Sequence, residues 1–369
     1  PVSTSEFQPG PGNGSRHRFQ GRLTLVSGPG AGRLSGLIDW FGYLDDPGLE
    51  SADLPPFSFD FVQDGTDLLP VLRGPQPGAH PHWEFILEPG RVWDEPGDAG
   101  WSRAALPFSL QERNANCTHN GLLSFLFNSD GGVSRIAYQV GSETCQYLQA
   151  DLWGVVTATY APGPLENAEV VVDAFRREVA ARLPVKPIEA LTRDYPGTDL
   201  GNFDWFPAEE VSTFGFAIDG VHYSGGCNTR YGPYPFCEVL DLPSYSLAKS
   251  IFAGTTAMML AQEFPGSGEL QVTDHVPECA RDVRWQNVTL QHLIDMTTGN
   301  YTSLEPDVDE FASYETDFME GDTHAQKITT ACTLFPRKAQ PGSSFAYHTS
   351  DTYIAGTLMN AFLRRQHGP

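Results

Sequence analysis

Between residues 1 and 160 short strand-like, largely apolar runs recur: Arg22-Leu23-Thr24-Leu25-Val26, Phe57 to Val62, Trp83 to Leu87, Leu122 to Phe127, Ile136 to Val140 and Val155 to Tyr160. A period of two puts successive side chains on opposite faces of a strand, and dense Gly and Pro between the runs supply turns. The pattern predicts an all-β antiparallel sandwich or barrel without an internal repeat. After Pro162-Gly163-Pro164 the period changes. From Leu165 to Leu183, Val170, Ala174 and Val179 stand against Glu169, Asp173, Arg176 and Arg177, an amphipathic helix that Pro184 ends. Residues 184 to 208 read as a linker. Alternation then returns around Asp219-Gly220, a hairpin signal between Val211–Ile218 and Val221–Tyr223.

The apolar run Ile251 to Phe264 follows Pro243-Ser244 and stops at Pro265-Gly266. Leu247, Ile251, Thr255, Met258, Met259 and Gln262 recur at helical spacing, and this stripe is expected to face a core. Ser246 and Lys249 lie off the stripe. With about 3.6 residues per turn they share a face, so the amine can lie over the hydroxyl. In the first turn, unpaired N–H groups and the positive dipole end favour negative charge developing on the serine. A desolvated lysine can act as its base. Of the lysines Lys186, Lys249, Lys327 and Lys338, only Lys249 follows a serine by three positions. A last helix is expected over Thr352 to Arg365, with Asp351 as its cap.

Three stretches in order carry a resemblance. Behind Ser246-Leu247-Ala248-Lys249 come Gly268-Glu269-Leu270-Gln271-Val272-Thr273-Asp274-His275-Val276 and Val288-Thr289-Leu290-Gln291-His292-Leu293-Ile294-Asp295-Met296-Thr297-Thr298-Gly299, then Pro341-Gly342-Ser343-Ser344-Phe345-Ala346-Tyr347-His348-Thr349-Ser350. This series resembles the beta-lactamase-related serine hydrolases, which share a fold with penicillin-binding proteins. The resemblance covers about 130 residues and implies that Ser246 is acylated, that Lys249 activates it and that Tyr347 is the tyrosine of the second family motif. Thr349 falls where the family has an amide or hydroxyl, Ser350 beside it can take that part, and His348 either lines the cleft or sits half-exposed on a loop. These three are the candidate substrate-binding residues. The third family motif, a K-T-G or H-x-G triplet, has no counterpart in the sequence.

The implied fold is therefore multi-domain: a β-rich domain over 1–163, a helix and linker over 164–208, and over 209–369 the first part of an α/β, beta-lactamase/transpeptidase-like domain. The resemblance places the 211–223 hairpin in a sheet completed by strands that follow the second motif. Those strands are expected either on a C-terminal fragment that remains bound after a cut near Pro369 or outside a truncated chain.

Composition narrows the setting. With 46 acidic against 23 basic residues the net charge is −23, which argues against nucleic acid and anionic membranes as partners. No run of about 18 apolar residues suggests a membrane span. The start at Pro1-Val2-Ser3 fits a mature secreted or periplasmic form after signal removal. Six cysteines lack a C-x-x-C pair, which disfavours a zinc ribbon; the most local pairing is Cys117–Cys145, Cys227–Cys237 and Cys279–Cys332, with six reduced thiols as the alternative. Glycosylation triplets begin at Asn13, Asn116, Asn287 and Asn300. The aromatics Trp40, Phe41, Trp83, Trp93 and Trp101 form either a sugar-binding face or core. The acidic group Glu305, Asp307, Asp309 and Glu310 lacks the spacing of a calcium loop and reads as a solvated face. No G-x-S-x-G elbow or H-E-x-x-H pair is present.

The expected activity is acyl transfer through a Ser246 acyl-enzyme, with an esterase or peptidase acting on a small ester, amide or peptide and needing no cofactor or metal. A catalytically silent binding protein on the same scaffold and a self-processing hydrolase are the alternatives.

Overall fold

The computed structural model describes residues 1–9, 14–26, 32–45, 54–78, 80, 82–113, 117–197 and 212–368. Contacts divide the chain into two compact units, Pro1–Pro243 and Ser244–Pro369. The hairpin expected in the hydrolase part belongs to the first.

Ten strands of the first unit form one antiparallel sheet: β1 Gln20–Val26, β2 Gly32–Asp39, β3 Ser58–Asp64, β4 Asp67–Pro70, β5 Trp83–Leu87, β6 Gly90–Trp93, β7 Ser102–Glu112, β8 Thr118–Phe127, β9 Ile136–Thr144 and β10 Leu148–Pro162. Pairing runs β1-β3-β4-β6-β7-β8-β9-β10 and closes when β10 pairs with β1 through Gly21↔Pro162 to Val26↔Thr157. The ring is a barrel, in which every ring strand is paired on both sides. Strand β2 extends the early part of β10, and β5 lies on β7 beyond β6.

Alternating side chains fill the interior. Leu23, Leu25, Phe59, Phe61, Phe85, Phe108, Phe125 and Phe127 are buried there. Phe19 stacks on Tyr160 at 4.0 Å and meets Phe61 and Phe127 edge-on. Strand β7 escapes the alternation rule because both its faces are buried. Its outer side, with Trp93 and Leu122, is covered by Phe7, Tyr234 and Phe236. Pro107 inside it further masks the strand signal. Of the five aromatics considered as a sugar face, Trp83 and Trp93 are core while Trp40 and Phe41 are exposed.

The helix after the barrel spans Ala168–Ala181, with Val170 and Val179 exposed. The expected linker is in part folded: β11 Val185–Pro187 pairs parallel with β13 Val221–Gly226, and a short helix Ala190–Asp194 buries Ala190 and Leu191 against Tyr223. Strand β12 Thr213–Ile218 completes this three-stranded sheet. Asp219 and Gly220 both have positive φ, as a two-residue hairpin turn requires. Residues 198–211 lie outside the described residues.

The second unit packs short helices around one core. The C-terminal helix Thr349–His367 buries Ile354, Ala355, Leu358, Met359 and Phe362 against Val272, Trp285, Leu290, Leu293 and Ile328. Thr289 and Thr323 each start a helix with a capping box, which closes unpaired first-turn N–H groups. Asp351 lies in the first turn of the last helix, which starts three residues earlier than expected, so Asp351 is not its cap.

The helix that follows Ser246 is rotated relative to the sequence expectation. Ala253, Ala257, Leu260 and Phe264 face the core, whereas Leu247, Ile251, Phe252, Met258 and Met259 are each more than half exposed. Hydrophobicity cannot choose between two apolar stripes, and the small alanines allow the closer approach of neighbouring helices.

Cys117–Cys145, Cys227–Cys237 and Cys279–Cys332 are disulfides. They fit an extracellular or otherwise non-cytoplasmic setting. Among the described residues no helix is long and apolar enough to cross a membrane.

Burial separates the glycosylation triplets. Asn287 is exposed, whereas Asn300 is 2% exposed with neither side-chain amide atom hydrogen-bonded. Asn13 and Asn116 lie outside the described residues. In a glycosylating host, peptide mass mapping is expected to find glycan on Asn287, lost in Asn287→Gln, and none on Asn300. A glycan on Asn300 of folded protein would contradict its burial.

Candidate active site

The serine sits at the entry of the Ser244–Glu263 segment. Leu247 N–H donates to Ser244 O, Ala248 N–H to Tyr245 O and Lys249 N–H to Ser246 O. The next turn, Lys249–Gly254, is a wide π-helical one, and Thr255–Glu263 continues as α-helix. Tyr245 has φ +43°, a left-handed value unusual for an aromatic residue, directly before the serine.

Tyr347 reaches the serine through a separate set of backbone contacts. Gly342 N–H donates to Thr297 O and Ala346 N–H to Met296 O, laying the second motif beside the 296–300 segment. Lys338 and Ala339 N–H both donate to Gly299 O. Gly299 has φ +80°, and a Cβ there would stand 2.3 Å from Ala339 O, so only glycine fits this approach.

Three side chains converge. Lys249 Nζ donates to Ser246 Oγ at 2.9 Å, and Tyr347 OH donates to the same oxygen at 2.5 Å. Lys249 Nζ lies 4.9 Å from the centre of the Tyr347 ring. Ser246 is exposed and Lys249 half-buried, so the oxygen is open to a reactant. At these distances a neutral amine, or a phenolate, can take the hydroxyl's proton, which is what a weak nucleophile requires.

The other three candidates turn away. His348 is fully buried: it stacks on Phe335 at 3.8 Å, its Nε2 lies 3.1 Å from Asp309 Oδ2, and its Nδ1 is 3.5 Å from Asp351 Oδ2. It does not line an open cleft. Ser350 is 1% exposed. Thr349 gives its backbone N–H to Glu310 Oε2 at 2.8 Å and its hydroxyl to Glu310 Oε1. With a side chain already engaged, Thr349 has less to offer a substrate.

Asp309 and Glu310, which read from sequence as part of a solvated acidic face, instead anchor the loop. Asp309 is 3% exposed and accepts from Thr302 N–H at 2.7 Å, Ser303 N–H at 3.0 Å and Tyr314 OH at 2.9 Å. Burial opposes its ionisation, but these donors and His348 hold it below the usual carboxylate range. Burial also opposes protonation of His348, yet Asp351 and Asp309 raise it above its ordinary value. Glu315 is 2% exposed with both carboxylate oxygens unpartnered, and burial, with help from Glu310, pushes it up to about 8.

Sequence reading missed these anchors because a carboxylate aimed inward looks the same in sequence as one aimed outward. The adjacency of Asp309-Glu310 to an otherwise exposed loop is a signal only once His348 and Thr349 are known to face them. Beside Tyr347 there is also a cleft of about 210 Å³, walled by Leu304, Pro306 and Phe345. The cluster Glu112, His119 and Cys145 in the barrel is no metal centre, since Cys145 is in a disulfide and His119 and Tyr147 already occupy Glu112.

Comparison with protein-family models, with curated proteins and with solved structures gave no match, so the reading of this site rests on its own geometry and on the sequence resemblance.

Proposed function

We propose that this protein is a secreted serine hydrolase that cleaves an ester or amide through a Ser246 acyl-enzyme. The observation that carries the reading is the meeting of Lys249 Nζ and Tyr347 OH on Ser246 Oγ, although Tyr347 is 101 residues away in sequence. A scaffold has no physical need for all three groups in that geometry. The beta-lactamase-related resemblance of the surrounding stretches supports it.

Ser246 Oγ attacks the carbonyl carbon while its proton passes to the neutral Lys249 amine, or to Tyr347 as phenolate, forming the C–O bond of a tetrahedral intermediate. In this reading the Ser246 N–H, at the helix entry, donates to the developing oxyanion. The intermediate expels the alcohol or amine, which takes the proton. Water, giving its proton to the same group, then bonds to the acyl carbon, the acyl–Ser246 bond breaks, Ser246 Oγ takes that proton back and the acid is released.

Incubation of the full chain with a serine-directed phosphonate is expected to add one phosphonyl mass on the peptide containing Ser246 and none in Ser246→Ala. The withdrawal of His348, Thr349 and Ser350 favours a second reading, a catalytically silent binding protein. An unlabelled, folded chain decides for that reading.

A further inference from the structure

The cleft beside Tyr347 has features that catalysis by Ser246, Lys249 and Tyr347 does not use. Its walls are the 303–309 segment on one side and Phe345, Ala346 and Tyr347 on the other. Leu304 is 52% and Phe345 63% exposed, so two large apolar side chains stand in solvent at the edge of the site. The loop that presents Leu304 is fixed at both ends: Asp309 accepts from Thr302 and Ser303, and the adjacent Glu310 accepts from Thr349. A wall tied in this way to the residues following Tyr347 holds its distance from Ser246 without a substrate.

Size and charge restrict the occupant. At about 210 Å³ the space is below the roughly 300–1,000 Å³ that accepts a whole drug-sized ligand. It takes one substituent. No lining residue is basic, and Glu305 and Asp307 stand exposed at the rim. Lys338, which reaches this loop, donates to Thr302 O at 2.6 Å, and Lys249 donates to Ser246 Oγ.

We infer that this cleft is the specificity subsite of the proposed hydrolase, taking a short, uncharged apolar group that flanks the scissile carbonyl and excluding carboxylate-bearing ones. The inference rests on the proposed acyl transfer, but binding in the cleft is measurable without it.

Two assays on the full chain separate the two readings. In Ser246→Ala protein, saturation-transfer NMR is expected to show N-hexylacetamide bound and hexanoate not bound. Leu304→Trp, which fills the cleft from an exposed position, is expected to weaken the amide by about tenfold or more, the scale of losing one or two methylenes from an apolar pocket. Phe345→Asp is the second variant, and circular dichroism checks that each is folded. With Ser246 present, p-nitrophenyl hexanoate against acetate reads the acyl side and hexyl against methyl acetate the alcohol side. The ratio that Leu304→Trp lowers names the group that occupies the cleft. Glu305→Gln with Asp307→Asn is expected to make hexanoate binding detectable in the same assay.

Absence of amide binding, binding unchanged in both wall variants, or equal binding of hexanoate overturns the subsite. Binding lost in both wall variants, in a chain whose Ser246 takes no phosphonate, retains the pocket and overturns the hydrolase reading instead.

Discussion

Lys249→Ala is expected to lower the rate of Ser246 phosphonylation, and of ester turnover, by about 10³-fold, within the roughly 10²–10⁴ range of general acid–base groups. Tyr347→Phe is expected to cost about 10²-fold, because it keeps the ring beneath the Lys249 amine and removes only the hydroxyl at 2.5 Å from Ser246 Oγ. The double variant should lose less than the product of the two, since both groups serve one proton. Lys249→Arg distinguishes a base from a fixed positive charge: a guanidinium stays protonated and cannot accept the serine proton. Arginine that restores most of the rate would assign Lys249 an electrostatic part and leave Tyr347 as the acceptor. Pre-steady-state labelling followed by intact mass measures each case. Rates within twofold of wild type in both single variants would make the convergence incidental and sink the hydrolase reading.

The second unit is expected to be several kcal/mol more stable at pH 5 than at pH 8, with Glu315 as the main cause. A carboxyl whose value rises to about 8 in the folded state holds its proton there while the unfolded chain releases it near 4.5. Between those values the folded state binds more protons, so stability falls as pH rises, by at most about 1.4 kcal/mol per pH unit. Raised His348 acts in the same direction, because its contribution is complete below its unfolded value and fades as pH passes its folded one. Asp309, held low, acts oppositely and only in more acidic solution, where protonation would release the Thr302 and Ser303 N–H groups. Glu315→Gln keeps the volume, removes the titration and is expected to flatten most of the slope between pH 5 and 8. Hydrogen exchange of peptides from the Thr349–His367 helix reads this unit apart from the barrel. Exchange protection that is equal at the two pH values, or an unchanged slope in Glu315→Gln, would show that burial of this carboxyl does not govern stability.

Local information in the chain was enough for some features and insufficient for others. Alternation over 22–26 and 57–62 marks strands because each has one face in the barrel and one outside. Strand β7 carries no such mark, since Phe7, Tyr234 and Phe236 cover what would have been its polar side. The Asp219-Gly220 turn was legible because few residues tolerate two successive left-handed conformations. The three neighbouring cysteine pairs were legible because short separations leave their partners close. The 184–197 stretch was read as linker because its strand has three residues and gains its hydrogen bonds only from β13.

The sequence by itself determined the Ser246–Lys249 spacing, since one turn of helix puts both on a face whatever surrounds them. It also determined the alternating strands and the periodic core face of the last helix. The tertiary structure alone decided which apolar stripe of the helix after Ser246 meets the core, because two stripes compete and packing size chooses between them. It decided that Tyr347 OH reaches Ser246 Oγ, which depends on the backbone pairing of 296–300 with 336–346. It also decided that Asp309, Glu315 and His348 are interior titratable groups and not surface ones. Burial is a property of what packs on a residue from elsewhere in the chain, and no local pattern encodes it.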